Sequence, residues 1–244
     1  MVSLVHVAYG NKLADKLSGD TAVERLFSAY AKPRPQIAYL PPFPLIMNQQ
    51  FDVLIDSYLD NKVGIDKNFL SGELAKGLQQ NIKQLQEDNA MTSAGIGNSK
   101  LKDASQQMRS DKICWLDKTN NNVYKQEFLE LAEAFIGHLN STCYTGISSY
   151  EFHYAVYEEG NFYKRHIDQF RSDNKRKFSL INYLNEDWLE EDGGQLYLYQ
   201  QEEAVQKIQP EAKTAVFFKS DEMEHEVTLC KRSRMSITGW LKSR

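Results

Sequence analysis

The stretch Phe152-His153-Tyr154-Ala155-Val156-Tyr157 decides the fold, because aromatic and β-branched residues at this density are typical of a β-strand. Turn-forming residues separate it from similar stretches at short intervals. These lie at 178–183, 195–199, 214–218, 226–230 and 235–240. Many short strands behind a few helices predict a mainly β, α+β domain, with a sandwich or barrel core and helices packed outside.

The chain before these strands has a helical pattern interrupted by polar segments. We expect a short helix near 50–59, a strand at 63–65, an amphipathic helix capped by Ser71 and a further helix at 125–139. A polar stretch at 91–108 predicts a long loop. Five of the six prolines lie between Pro33 and Pro44 and predict an extended connector. We therefore expect an N-terminal arm and Pro-rich connector at 1–47 and one main domain at 48–244, with helical support at 48–140 and a β core at 148–244.

Composition excludes several classes of protein. The 244 residues carry a net charge of −4, so a nucleic-acid partner is not expected. No apolar run is long enough to span a membrane, and residues 1–10 do not resemble a signal peptide. Three cysteines without a Cys-x-x-Cys pair imply no disulfide framework, which favours a reducing, cytoplasmic compartment.

Two short motifs carry the chemistry. His166 and Asp168 are two residues apart at the end of a strand, so both side chains point to one face. His225 begins a later strand, and if the two strands are neighbours the three side chains converge. Two imidazoles and one carboxylate can hold one face of Fe(II) and leave the other open. Arg234 follows on the next strand, where a guanidinium can bind a cosubstrate carboxylate in bidentate fashion, and Tyr183 is placed to donate to the same carboxylate.

The remaining histidines are weaker candidates for function. A single His-x-Asp arises often by chance, and His225 could be a surface residue of an acidic run, so only the combination with Arg234 is informative. We interpret His6, His138 and His153 as structural or surface residues.

Six ordered stretches resemble the prolyl 4-hydroxylase-like 2-oxoglutarate/Fe(II) dioxygenases, especially the branch that contains the hypoxia-inducible-factor prolyl hydroxylases and their bacterial relatives. The resemblance covers about residues 51–241. Its stretches are 94–98 (AGIGN), 109–115 (RSDKICW), 163–168 (YKRHID), 183–188 (YLNEDW), 193–196 (GGQL) and 225–227 (HEV) with Arg234 and Trp240.

The resemblance implies a double-stranded β-helix (jelly-roll, cupin-like) core. It implies that His166, Asp168 and His225 bind the iron, and that Arg234 and Tyr183 bind 2-oxoglutarate. Tyr157 and Trp240 would line the pocket, and Arg176 would lie at the substrate entrance. Asp111 could pair with Arg176, and Arg109 would lie nearby; both belong to a segment, 91–115, that closes over the substrate in this family. The resemblance further implies O2 as a cosubstrate and is compatible with ascorbate (vitamin C) as a reductant.

The implied reaction is hydroxylation of a prolyl residue in a protein, with release of succinate and CO2. The candidate protein is a translation-related target in a microbe. One alternative is a hydroxylase of a free amino acid or other small molecule, which needs an enclosed pocket rather than an extended groove. Another is a non-catalytic iron- or oxygen-responsive binding protein, which intact ligands and Arg234 disfavour. A nucleic-acid demethylase would carry a basic groove, which this charge balance disfavours.

Overall fold

The helices of the computed structural model form one layer behind the larger of two sheets. The structure describes residues 45–95, 108–117, 119, 122–169, 174–200 and 203–244, so residues 1–44 of the expected arm and connector lie outside it. The helices are α1 (Leu45–Asn61), α2 (Gly72–Glu87) and α3 (Val123–Cys143), with a short 3-10 helix at Glu190–Asp192. Helix α1 thus begins before the expected domain boundary at 48.

The helix termini follow from local capping. The Ser71 hydroxyl accepts a hydrogen bond from the Leu74 amide at 3.1 Å, as the sequence predicts for α2. The Asn122 side chain accepts from the Lys125 amide at 3.0 Å at the start of α3. Helix α3 ends where Tyr144 takes a left-handed conformation, with φ 54°. None of the helices in the described ranges is long and apolar enough to cross a bilayer.

Two antiparallel sheets form the β core. Their strands are β1 (Val63–Asp66), β2 (Thr92–Ser93), β3 (Lys112–Trp115), β4 (Ser149–Tyr157), β5 (Tyr163–His166), β6 (Arg176–Tyr183), β7 (Leu196–Gln200), β8 (Glu203–Ile208), β9 (Ala215–Lys219), β10 (Glu224–Val227) and β11 (Arg234–Lys242). The larger sheet has the order β1-β9-β6-β11-β4-β3-β2, and the smaller has the order β5-β10-β7-β8.

One strand prediction needs correction, and one strand was missed. The strand expected at 226–230 is β10, which begins earlier and ends at Val227. Strand β8 was not predicted from the sequence. Its polar residues hide the strand pattern in the sequence. They are tolerated because β8 is an edge strand of the smaller sheet and pairs only with β7.

Alternating residues of the larger sheet serve two separate cores. On β4, Phe152, Tyr154 and Val156 pack against the helices. Ala155 and Tyr157, on the opposite face, pack with Leu196 and other residues of the smaller sheet. The period of two along each strand therefore fills the helix-facing core with one set of residues and lines the space between the sheets with the other.

Candidate active site

Pairing of β5 with β10 brings two distant histidines together. His225 lies opposite His166 in this antiparallel pair, and their ring centroids are 4.2 Å apart. Asp168 lies two residues beyond the end of β5, and its carboxylate is 3.5 Å from His166 Nε2. The sequence predicted that the three side chains converge if their strands are neighbours. The two strands are neighbours, and the side chains converge.

Each of the three side chains offers one metal-ligating atom, and these atoms face a common point. His166 Nδ1 is 2.7 Å from the Lys164 carbonyl oxygen, and His225 Nδ1 is 3.1 Å from that of Met223. Donation from each Nδ1–H leaves both Nε2 lone pairs free. These lie 3.5 Å and 3.6 Å from different oxygens of Asp168, and the possible ligand atoms all lie within 4.8 Å of one another. With bonds of about 2.0–2.2 Å, a transition metal ion fits between them.

The Asp168 carboxylate is held in place by hydrogen bonds. The Ser179 hydroxyl donates to Asp168 Oδ2 at 2.7 Å, and Arg176 donates to the Asp168 carbonyl at 3.0 Å. Burial raises the pKa of the Asp168 carboxyl, but the two imidazoles and Ser179 outweigh it and hold that pKa well below its ordinary value. Burial, with His166 nearby, lowers the pKa of His225 to about 4. The donor set is thus a carboxylate and a neutral imidazole, in the protonation states that metal binding needs.

A buried arginine lines the same pocket as these ligands. Arg234 is 1% exposed and donates from Nε to the Gly194 carbonyl at 2.8 Å. The rings of Tyr157 and Tyr183 lie 4.9 Å and 5.0 Å from its guanidinium carbon. Position 194 favours glycine because its φ is +65° and a Cβ there would lie 3.0 Å from Arg234 Cδ.

Two hydroxyls beside Arg234 have no hydrogen-bond partner among the described residues. They are the Tyr183 hydroxyl and Ser236 Oγ, which face each other across the β6–β11 pair. Burial raises the pKa of Tyr183 to about 12, although Arg234 opposes the shift, so the group stays a donor. A buried cation with unpaired donors beside it fits the far carboxylate of a dicarboxylate such as 2-oxoglutarate. Sequence reasoning missed Ser236, although its spacing of two from Arg234 on one strand places both on one face.

Aromatic rings form another part of the pocket. His153 lies between Trp115 and Trp240, with ring centroids 5.0 Å and 5.3 Å away. The guanidinium of Arg176 lies 3.5 Å from the Trp240 ring centre. His153 Nδ1 and Trp240 Nε1 are buried without a hydrogen-bond partner in the described ranges. His153 therefore lines the pocket, contrary to its interpretation from sequence, and its spacing of four from Tyr157 on β4 was the available signal.

The expected pair between Asp111 and Arg176 is wrong. Asp111 accepts two hydrogen bonds from Arg109, at 2.7 Å and 2.6 Å, and Arg176 pairs with Glu151 at 2.7 Å. Asp111 adjoins Lys112, which lies opposite Val156, five positions along β4 from Glu151. At about 3.4 Å per residue that distance is too long for direct contact with Arg176.

The fold and the site define a class of protein. Residues 152–242 match the model of the 2OG-Fe(II) oxygenase superfamily, a region that contains the three converging side chains and Arg234. The chain therefore resembles the prolyl hydroxylase-like 2OG-Fe(II) oxygenases, a class of dioxygenase that uses Fe(II), 2-oxoglutarate and O2.

Relatives and solved structures give the more particular likeness. The chain is 29% identical over 192 residues to Egl nine homolog 1 of Homo sapiens, a match that covers 74% of this chain and 44% of that protein. A prolyl-4-hydroxylase of Pseudomonas putida superposes with a TM-score of 0.72 and 28% identity, over 80% of this chain and 99% of the other. A prolyl hydroxylase of Trichoplax adhaerens, solved with a hypoxia-inducible-factor peptide, gives 0.72 and 25%, over 81% and 91%.

The matched region spans about half of the animal relatives. It covers 44% of the human protein and 55% of Egl nine homolog 1 of Rattus norvegicus. The likeness therefore concerns the oxygenase domain and says nothing of the remainder of those proteins.

Proposed function

We propose that this protein is an Fe(II)- and 2-oxoglutarate-dependent hydroxylase of a prolyl residue in a protein substrate. The observation that carries the proposal is one pocket lined by both the His166, Asp168 and His225 cluster and the buried Arg234. The Trichoplax adhaerens relative holds a peptide, which supports a polypeptide substrate.

His166, Asp168 and His225 would hold the iron through two Nε2 atoms and the Asp168 carboxylate. Ser179 keeps that carboxylate oriented, and the buried position of His225 keeps its imidazole neutral. Iron and 2-oxoglutarate bound there would supply O2 activation, with succinate and CO2 as coproducts. The protein's part is to position these groups and the substrate.

Arg234, Tyr183 and Ser236 would bind the far carboxylate of 2-oxoglutarate. Because the Gly194 carbonyl takes Arg234 Nε, the terminal guanidinium nitrogens are left for the carboxylate. Tyr157 and apolar residues of both sheets, such as Leu196, line the pocket beside them and keep water from the carboxylate. Exclusion of water strengthens the charge-assisted hydrogen bonds of this subsite.

Trp240 and Arg176 would contact the substrate. Arg176 is fixed by Glu151 and by the Asp168 carbonyl, so its plane lies against Trp240 with little freedom. Arg109 and Asp111, also expected at the substrate, form their own ion pair beside Tyr163. Our candidate substrate is a translation-related protein, and our candidate location is a reducing, cytoplasmic compartment. The three cysteines are all free, which supports such a compartment.

Comparison of a proline-containing peptide library with free proline tests the proposal. Succinate release should depend on peptide, and the product peptide should gain the mass of one oxygen atom on proline. Turnover with free proline alone would instead support the small-molecule alternative. Binding of Fe(II) and 2-oxoglutarate without turnover of any substrate would support the non-catalytic one.

A further inference from the structure

Tyr163 forms the middle layer of a three-layer stack that ends on a proposed iron ligand. Its ring lies 3.5 Å from the His166 ring, centroid to centroid, with 14° between the planes. The guanidinium carbon of Arg109 lies 4.4 Å from the Tyr163 ring centre. Because the imidazole covers one face of the phenol ring, the guanidinium lies against the other.

The outer layer of this stack is fixed at several points. Arg109 makes two hydrogen bonds to Asp111, whose side chain is fully buried. The main chain of Arg109 bridges that of Tyr163, and the neighbouring Ser110 exchanges two hydrogen bonds of 3.1 Å with Phe162. The segment 109–111 therefore clamps the Tyr163 ring against His166 from outside.

The two histidines of the cluster differ in what holds their rings. The His225 side chain is 5% exposed and packs edge-on against Phe218 at 4.9 Å. The His166 side chain is 10% exposed, and its hydrogen bond to the Lys164 carbonyl still permits tilt about that bond. The flat face of Tyr163 blocks that tilt.

We propose that Tyr163 is a positioning residue for the iron: clamped by Arg109 and Asp111, it fixes the plane of the His166 imidazole and so sets metal affinity. This inference rests on the proposed iron-binding role of His166. It also gives Arg109 a function that acts through Tyr163, whereas the resemblance implied a position for Arg109 at the substrate.

The test measures Mn(II) affinity of the full chain without 2-oxoglutarate, from the free Mn(II) signal in electron paramagnetic resonance. Tyr163→Leu removes the stacked ring and should weaken Mn(II) binding about tenfold, the low end of what an outer partner of a metal-bound histidine contributes. Tyr163→Phe keeps the ring and should stay within about twofold of wild type, because no metal contact of the hydroxyl is invoked.

A matched control exists on the opposite face of β5. There Arg165 lies 4.2 Å over the ring of Tyr199, a similar cation–ring pair that does not touch the His166 ring. Tyr199→Leu should leave Mn(II) affinity within about twofold of wild type. Equal weakening in Tyr199→Leu and Tyr163→Leu, or none in Tyr163→Leu, would overturn the proposal.

A second variant covers the case in which Tyr163→Leu fails to fold. The double exchange Arg109→Gln with Asp111→Asn loosens the clamp without leaving a buried charge unpaired. It should weaken Mn(II) binding about threefold. An unchanged Mn(II) affinity would overturn the inference. Failure of the wild-type chain itself to bind Mn(II) or Fe(II) would count against the proposed function rather than against the role of Tyr163.

Discussion

His166 and His225 lie directly opposite each other in the β5–β10 pair, with ring centroids 4.2 Å apart, although they are far apart in the sequence. A metal ion bound by both would join β5 to the centre of the smaller sheet. The site therefore couples metal binding to the folding of one strand pair, and its residues can be tested by stability as well as by activity.

Asp168→Asn should abolish turnover of 2-oxoglutarate while the fold persists. The substitution keeps the shape of the side chain and removes the negative charge between the two Nε2 atoms. Mn(II) affinity should fall by at least about 100-fold, since even outer partners of metal ligands contribute 10- to 100-fold. The control is Glu226→Gln, beside His225 on the outer face, where Glu226 accepts a hydrogen bond from Tyr199 at 2.6 Å. Wild-type turnover in Asp168→Asn would disprove the metal assignment.

Arg234→Met should eliminate stabilisation by 2-oxoglutarate. With metal present, ligand at 100 times its Kd should stabilise wild type by about 2.7 kcal/mol, which a thermal melt detects. In Arg234→Met the shift should vanish, because the buried charge that pairs with the carboxylate is gone. Tyr183→Phe should weaken binding about tenfold, the equivalent of one hydrogen bond. The half-buried Arg232, which stacks on Trp188, is the control as Arg232→Gln; equal loss there would contradict the assignment.

Gly194→Ala should impair 2-oxoglutarate binding more than metal binding. The φ of Gly194 is +65°, and an added Cβ would lie 2.9 Å from Cys230 Sγ and 3.0 Å from Arg234 Cδ. The backbone penalty is about 1 kcal/mol, to which the displacement of Arg234 adds. Calorimetry should show a higher Kd for 2-oxoglutarate and a nearly unchanged Kd for Mn(II). Equal effects on both would indicate general loss of structure.

His153 should make the metal-free protein sensitive to mild acid. Burial, with Arg109 nearby, lowers the pKa of His153 to about 4, against about 6.5 in an unfolded chain. Above pH 6.5 both states are neutral and pH has no effect through this group. Between pH 6.5 and 4 only the unfolded chain gains the proton, so stability falls by up to about 1.4 kcal/mol per pH unit. Urea melts across this range should show a slope smaller by about one proton in His153→Met; an unchanged slope would refute the prediction.

Several features follow from local sequence because their physical causes are local. The strand period of two places Tyr183 beside the pocket and Leu180 in the helix-facing core. The hydroxyl of Ser71 caps α2 through a contact three residues away. Likewise His166 and Asp168 share one face because two residues make one repeat of an extended chain. The class of reaction could be inferred from these patterns together with Arg234.

Only the tertiary structure decided which residues from distant segments of the chain contact one another. Which carboxylate pairs with which guanidinium depends on strand order and register. Arg176 on β6 and Glu151 on β4 flank the same strand, β11, and pair across it, whereas Asp111 pairs with Arg109. His153 enters the pocket only because β4 faces the smaller sheet on that side. Thus the sequence by itself determined which side chains form the proposed metal and carboxylate sites, through residue types and short spacings. The packing of two sheets determined the partners, including the Tyr163 ring on His166, because contacts between distant segments arise only when both sheets are in place.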